Sequence, residues 1–267
     1  MAGRVVILKN KEEKDIIKAN GEILGKCHAE VAKAIQPGVK TKDLDKLAEE
    51  FILDHQAKPS FKNYNGYKYS LCISVNEVVV HGLPSNRELK DGDIISVDGG
   101  VYKNGFHADS AYTYLVGEVD EKTKTMVRET KKSLFKGIEM VKPGNRIGDL
   151  GFAIQSYTEN QGYGVVRELV GHGVGKYLHE APEVPNYGKR GQGTKMQAGM
   201  VLAIEPMITL GKRFVVQEND GWTIRTEDRS PSAHFEHTVW VTENGCEILT
   251  TFDYIEEVLR KNNLEVF

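Results

Sequence analysis

The stretch Asp93-Ile-Ile-Ser-Val-Asp-Gly-Gly-Val-Tyr-Lys-Asn-Gly-Phe-His-Ala-Asp109 decides how the middle of the chain folds. Asn104-Gly105 lies between two runs rich in β-branched and aromatic residues, the strongest short-range signal of a two-residue hairpin. With that loop, Gly100 stands opposite Asp109. Asp98, two positions from Gly100, falls on the same face. The spacing therefore predicts Asp98 and Asp109 as diagonal neighbours, about 7–8 Å apart at the backbone. Two carboxylates so placed repel unless something positive lies between them. No Lys or Arg falls on that face nearby, and Gly99 and Gly100 are expected to leave the space open. Taken alone, the pair also fits two solvated strand residues.

Upstream, apolar residues recur at helical spacing from Lys11 to Ile35, through Ile16, Ile17, Ile23, Leu24, Cys27, Val31 and Ala34. Pro37-Gly38 stops the pattern. Thr41 is placed to N-cap a second helix with Leu44, Leu47, Ala48, Phe51 and Ile52 on one face. Leu71 to Val80 then reads as a single strand. Downstream a second helical pair follows. Met126, Val127, Leu134, Ile138 and Val141 form one stripe, ended by Pro143-Gly144, and Ile147, Leu150, Ile154 and Tyr157 form the next. Ala34-Ile-Gln-Pro-Gly-x4-Asp43-Leu44 matches Met140-Val-Lys-Pro-Gly-x4-Asp149-Leu150 at an offset of 106, Pro143 against Pro37. A two-fold duplication within one domain is expected. A weaker echo sets Val80-His-Gly-Leu-Pro84 against Gly171-His-Gly-Val-Gly175.

Two more acids belong to apolar strands. Val201-Leu-Ala-Ile-Glu205-Pro206 puts a Glu at the end of an apolar run, and Pro206 holds it extended. Phe235-Glu236-His237-Thr-Val-Trp-Val, turning at Asn244-Gly245, carries Glu236 to one side of a sheet or the other. A buried, unpaired carboxylate costs several kcal/mol or takes up a proton. Four of them in apolar strands argue for a shared cation. Gly171-His172-Gly173-Val-Gly175-Lys-Tyr-Leu-His179 adds two imidazoles among three glycines, and glycine beside His172 permits close backbone approach to a ligand. The stretch is no P-loop, since Tyr177 follows Lys176 where Ser or Thr is required, and Glu183 spoils HExxH. A lone His, including His81, is more often structural.

Composition narrows the rest. The 267 residues carry 35 basic and 38 acidic side chains, a net charge of −3, which offers no electrostatic footprint for nucleic acid or an anionic membrane. No apolar run is long enough to span a bilayer, and the charged N-terminus is no signal peptide. Cys27, Cys72 and Cys246 are odd in number and widely spaced, so a reduced, cytoplasmic setting is expected.

The ordered set Asp98, Asp109, His172, Glu205 and Glu236 resembles the five-ligand dinuclear site of the methionine aminopeptidases. More narrowly it is similar to the bacterial type I enzymes of the pita-bread metallopeptidases. The matching stretches are Cys72-Ile-Ser-Val-Asn-Glu-Val-Val-Val-His-Gly, Gly171-His-Gly-Val-Gly, Ile204-Glu-Pro-Met and Phe235-Glu-His-Thr, and the likeness runs from Lys11 to Phe252. It implies an α/β (α+β) fold of two pseudo-two-fold-related halves, antiparallel sheet flanked by helices, with the metals between them. It also implies a single catalytic domain over 1–267 with a short N-terminal arm, 1–10. The short span between His172 and Glu205 leaves no room for the helical insertion of type II enzymes.

The activity implied is removal of the N-terminal methionine from nascent proteins and peptides. Two divalent ions (Co, Mn, Fe or Zn) suit a set of hard-to-borderline ligands. By resemblance Asp109 and Glu236 bridge, Asp98 holds one ion, and His172 with Glu205 hold the other. The resemblance also implies that the metals would activate a hydroxide for attack on the first peptide bond, with Glu205 as general base. His179 resembles the family residue that stabilises the oxyanion, and His81 the one that steadies the leaving amine. Tyr64, Tyr67, Cys72 and Trp222 match the methionine pocket, in which Phe61 and Leu178 depart from the enterobacterial pattern of Cys and Phe. Asn76, Val78 and Ser232 match a monovalent-cation site for Na or K. The expected partners are peptide substrates and a transient ribosome contact, with the chain a cytoplasmic monomer, no nucleic acid and no membrane. The rival readings are an X-Pro-type metallopeptidase and a non-catalytic binding protein on the same fold.

Overall fold

Asn10 opens the first helix. Its side chain accepts the Glu13 N–H while Glu13 reaches back to the Asn10 N–H, so two orphan donors are satisfied at once. The computed structural model describes residues 6–262 and 264–267; residues 1–5 of the expected arm lie outside the described residues. Helix α1 (Lys11–Ala34) buries Ile17, Leu24, Cys27 and Val31. The chain turns through Pro37-Gly38, with Gly38 at φ +91°, into α2 (Thr41–Asp54). Lys40, not Thr41, is the N-cap of α2. The Thr41 hydroxyl is engaged elsewhere, accepting the Ser85 N–H at 2.9 Å. In the second half, α3 (Glu121–Ile138) is capped by Asp120 and is followed by α4 (Ile147–Glu159). A last helix, α5 (Asp253–Lys261), packs on α1.

The same backbone bonds fasten each helix pair to the strand that follows. Gly38 N–H donates to Leu89 O at 2.8 Å and Gly144 N–H to Met196 O at 3.2 Å; Thr41 N–H meets Arg87 O and Ile147 N–H meets Thr194 O, both at 3.0 Å. Lys40 bridges Glu88 where Arg146 bridges Lys195. Farther on, Gly92 donates to Val116 O and Gly199 to Val241 O, each at 2.9 Å. The Pro-Gly repeat is a structural repeat whose offset is 106 at the helix turns (Gly144 against Gly38), 107 ahead of the first strand (Gly199 against Gly92) and 125 along the second (Val241 against Val116). Asp98 and Glu205 thereby occupy matching positions, as do Ala111 and Glu236, Asp109 and His234, and Thr113 and Thr238. The fainter echo is not part of it. His172 pairs with Ala203, whose counterpart Ser96 pairs with Ser74, so His172 corresponds to Ser74 and not to His81.

Antiparallel sheets carry the core. In the first half the long hairpin Ile94–Lys103 and Phe106–Leu115 is joined by Leu71–Val75 and Lys58–Pro59. In the second, Cys246–Ile248, His237–Val241, Val201–Ile204, Gly171–Gly173 and Glu180–Val184 lie in that order. The hairpin has the expected register, Gly100 opposite Asp109, with Asn104 and Gly105 at φ +53° and +85°. The strand read from Leu71 to Val80 is two strands, Leu71–Val75 and Val78–Val80. Asn76 breaks it at φ +55°, and its side chain donates to Asp93 Oδ1 at 2.7 Å and accepts the Ile94 N–H at 2.9 Å. The space at Gly99 and Gly100 is filled rather than open: a Cβ would lie 2.6 Å from a Leu71 methyl and 2.7 Å from Ser60 Cβ, respectively. The architecture is α/β, and the halves meet where Phe106–Leu115 runs beside residues 232–241.

Candidate metal centre and substrate pocket

Each acid reaches one cavity by a different local route. Asp98 and Asp109 come from the two strands of the hairpin. Glu205 is the first residue past Val201–Ile204, and Glu236 lies between Ser232–His234 and His237–Val241, its N–H bound to Ala111 O at 3.0 Å. Asp109, His172 and Glu236 each offer a ligand atom within 4.8 Å of the others. His172 Nε2 lies 3.6 Å from Glu205 Oε1 and 3.9 Å from Asp109 Oδ2. Asp98 Oδ1, Asp109 Oδ1 and Glu236 Oε1 are buried with no hydrogen-bond partner. Among the described residues no Lys or Arg pairs with any of the four acids. Burial, then mutual repulsion, pushes Asp98, Asp109 and Glu236 well above the carboxylate range, and burial holds Glu205 up at about 8.

His172 is set to offer a lone pair. Its Nδ1 faces the Gly173 carbonyl at 2.9 Å, a contact that requires the proton there and leaves Nε2 bare toward the acids. Burial drops the imidazole to about 3, so it stays neutral. The flanking glycines serve the sheet. A Cβ on Gly171 would run into Ala203 O and one on Gly173 into Ala181 O, so the close approach is to neighbouring strands rather than to a ligand.

The same cavity, of about 440 Å³, is lined at its other end by Phe61, Tyr64, Tyr67, Cys72, Leu178 and Trp222. Phe61, Tyr67, Cys72 and Leu178 form one buried cluster with Tyr64 and Trp222 against it. Cys72 sits directly opposite Asp98 in the sheet, which joins the apolar wall to the acids. His81 also lines the cavity, at φ +57° and edge-on to Trp222. A non-glycine residue held there is strained, a condition that gathers at functional sites. His179 Nδ1 meets the Tyr64 hydroxyl at 2.8 Å, and its ring lies 4.2 Å from that of His172. Asn76, Val78 and Ser232 do not line this cavity; Ser232 N–H donates to Asn76 O at 2.9 Å.

The Metallopeptidase family M24 sequence model matches residues 15–243. The chain belongs to this family. Methionine aminopeptidase 1 of Bacillus subtilis (strain 168) is 50% identical over 246 residues, covering 92% of this chain and 99% of that protein. The crystal structure of methionine aminopeptidase from Thermotoga maritima superposes with a TM-score of 0.91 at 48% identity, covering 92% of this chain and all of that one. The prolidase of Pyrococcus furiosus superposes with a TM-score of 0.76 at 26% identity, and the match covers only 65% of its length. As a member of M24 the protein is a metallopeptidase on the pita-bread fold, acting on peptide or protein substrates with divalent metal. The orphaned carboxylate oxygens and the bare His172 Nε2 fit such ions, because positive charge between the acids removes the repulsion without protonating them.

Sequence reading of this M24 chain missed His234. It is buried, with Nε2 3.4 Å from Glu205 Oε2. The signal was its place two residues before Glu236, as strand neighbours on one face are spaced. Leu169 and Val170, which also line the cavity, carried none, and Met207 entered only as part of the Ile204-Glu-Pro-Met stretch. Among the described residues no helix is long and apolar enough to cross a membrane.

Proposed function

We propose that this protein is a metal-dependent methionyl aminopeptidase that removes the N-terminal methionine from nascent proteins and peptides. The observation that carries the reading is one cavity joining an apolar cluster to five convergent ligand-type side chains. Asp98, Asp109, His172, Glu205 and Glu236 would hold two divalent ions, drawn from Co, Mn, Fe or Zn. Ions so held supply Lewis acidity and lower the pKa of water beside the scissile carbonyl.

The chain's own groups do the remainder. The negative cluster favours the positive α-amino group of a free N-terminus, which confines cleavage to the first residue. Phe61, Tyr64, Tyr67, Cys72, Leu178 and Trp222 take the methionine side chain, whose polarisable thioether suits aromatic walls. Glu205 accepts the proton of the attacking water as general base. His179, its ring steadied through Nδ1 by Tyr64, donates from Nε2 to the carbonyl oxygen as charge develops there. His81 faces the scissile amide nitrogen and steadies the departing amine. In this reading residues 1–267 act as one catalytic domain behind the arm 1–10, as a cytoplasmic monomer meeting ribosome-borne chains transiently. Asn76, Val78 and Ser232 are kept for a monovalent cation, Na or K.

The test strips the metal, adds back Mn, Co or Fe, and follows Met-Ala-Ser, Leu-Ala-Ser and Ala-Pro-Ser by mass spectrometry. Metal-dependent loss of methionine alone is expected. Cleavage before proline would move the chain to the X-Pro branch, and no cleavage with any metal would favour a binding protein.

A further inference from the structure

A buried ion pair joins the N-terminal arm to the loop that carries His179. Lys9 Nζ pairs with the Glu180 carboxylate, and each side chain is about 1% exposed. Lys9 Nζ also donates to Ile7 O at 2.9 Å. A buried pair of this kind seldom adds stability over apolar residues of the same volume, so its surroundings matter more than its strength. The Lys9 N–H donates to Gly199 O at 2.7 Å, just ahead of the strand that delivers Glu205. The second oxygen of Glu180 accepts the Tyr177 N–H at 3.0 Å and closes a turn in which Leu178 and His179 sit. Gly175 makes room for the lysine, because a Cβ there would run into Lys9 Cε. Lys9 thus links the His179 turn, through its ammonium on Glu180, to the segment leading to the Glu205 strand, through its backbone N–H on Gly199 O.

We propose that Lys9 and Glu180 are positioning residues for His179, holding the Tyr177–Glu180 turn so that the imidazole meets the substrate carbonyl. This rests on the role of His179 given above. Tyr64, from the short helical turn Tyr64–Gly66, meets the ring itself. The backbone of the turn is held at its ends by Gly175 N–H on Tyr177 O and by the pairing of Glu180 with Gly173, and the ion pair adds the tie from Glu180 to the arm. A displacement of about 1 Å in such a group costs on the order of a hundredfold in rate.

The test compares Lys9→Met, Glu180→Gln and the double variant, each in the wild-type and the His179→Ala backgrounds, as full-length Mn-loaded protein. In the wild-type background Lys9→Met is expected to lower kcat on Met-Ala-Ser by about 10–100-fold, with KM within about twofold and bound Mn unchanged. In the His179→Ala background the same change costs less than about twofold, since the group it positions is already gone. In metal-free protein the His179 ring signals in NMR shift with Lys9→Met. An equal loss in both backgrounds, unmoved ring signals, or loss of Mn overturns the role of the pair. A fully active His179→Ala overturns the role of His179 itself. Where Lys9→Met does not fold, the double variant, which leaves no charge unpaired, is read against the same outcomes.

Discussion

Thr238 grips the backbone of Asp109 at both ends, its hydroxyl donating to Asp109 O at 2.8 Å and accepting the Asp109 N–H at 3.1 Å. Thr113 holds His234 in the same way, at 2.8 and 3.0 Å. Either Thr→Val change leaves a buried N–H and C=O unpaired, so both are expected to cost about 1–3 kcal/mol in urea unfolding. Only Thr238→Val shifts a proposed ligand. Calorimetric Mn affinity should fall about 10–100-fold in Thr238→Val and stay near wild type in Thr113→Val. Equal losses would show that Asp109 and His234 are not distinguished as assigned.

Metal-free protein should become less stable as pH rises above about 6.5. Glu205 is held at about 8 against an ordinary 4.5, so it binds its proton more tightly folded than unfolded. The stability it contributes is full at low pH and is lost as pH climbs through 8. Buried histidines act oppositely: His172 and His234, at about 3, lose their contribution as pH falls below their ordinary 6.5. Between pH 6.5 and 8 the carboxylates decide, and Glu205 alone accounts for on the order of 1–2 kcal/mol. Mn at a hundred times its Kd adds about 2.7 kcal/mol and abolishes the fall. A urea midpoint flat with pH in metal-free protein would remove the buried-acid account.

His179→Ala should lower kcat by about 10²–10³, as loss of an oxyanion donor does, with bound metal unchanged by elemental analysis. Asp109→Asn should lose metal instead. A His179→Ala protein that came out metal-poor would exchange the two roles.

Leu178 bears on selectivity. Leu178→Ala should lower kcat/KM on Met-Ala-Ser by about tenfold, corresponding to about 1.4 kcal/mol of lost contact, and should raise relative cleavage of Phe-Ala-Ser. Competition between the two tripeptides, followed by mass spectrometry, checks this. An unchanged ratio would place Leu178 outside the specificity pocket.

Local chemistry was legible in the sequence and long-range contact was not. Asn104-Gly105 fixed a turn and a parity, which was enough to set Asp98 and Asp109 on one face. Gly99 was read as leaving open space, and Gly171 and Gly173 as admitting a ligand; the groups that fill those spaces (Leu71, Ala203 and Ala181) come from elsewhere in the chain, so the crowding could not be read locally. Asn76 sat in an apolar run that looked continuous, because its bonds to Asp93 and Ile94 are tertiary. The Thr41 hydroxyl was lost to Ser85 for the same reason. His234 went unnoticed because the acids around it carried the stronger pattern.

The repeat matches Asp98 with Glu205, yet Ala111 answers Glu236 and Asp109 answers His234. Had every pair been alike, a peptide could have entered in either of two equivalent orientations, related by the axis between the halves. The unlike pairs remove the second orientation. A nearly symmetric scaffold has in this way acquired a head and a tail, and a chain threaded into it is read from one end only.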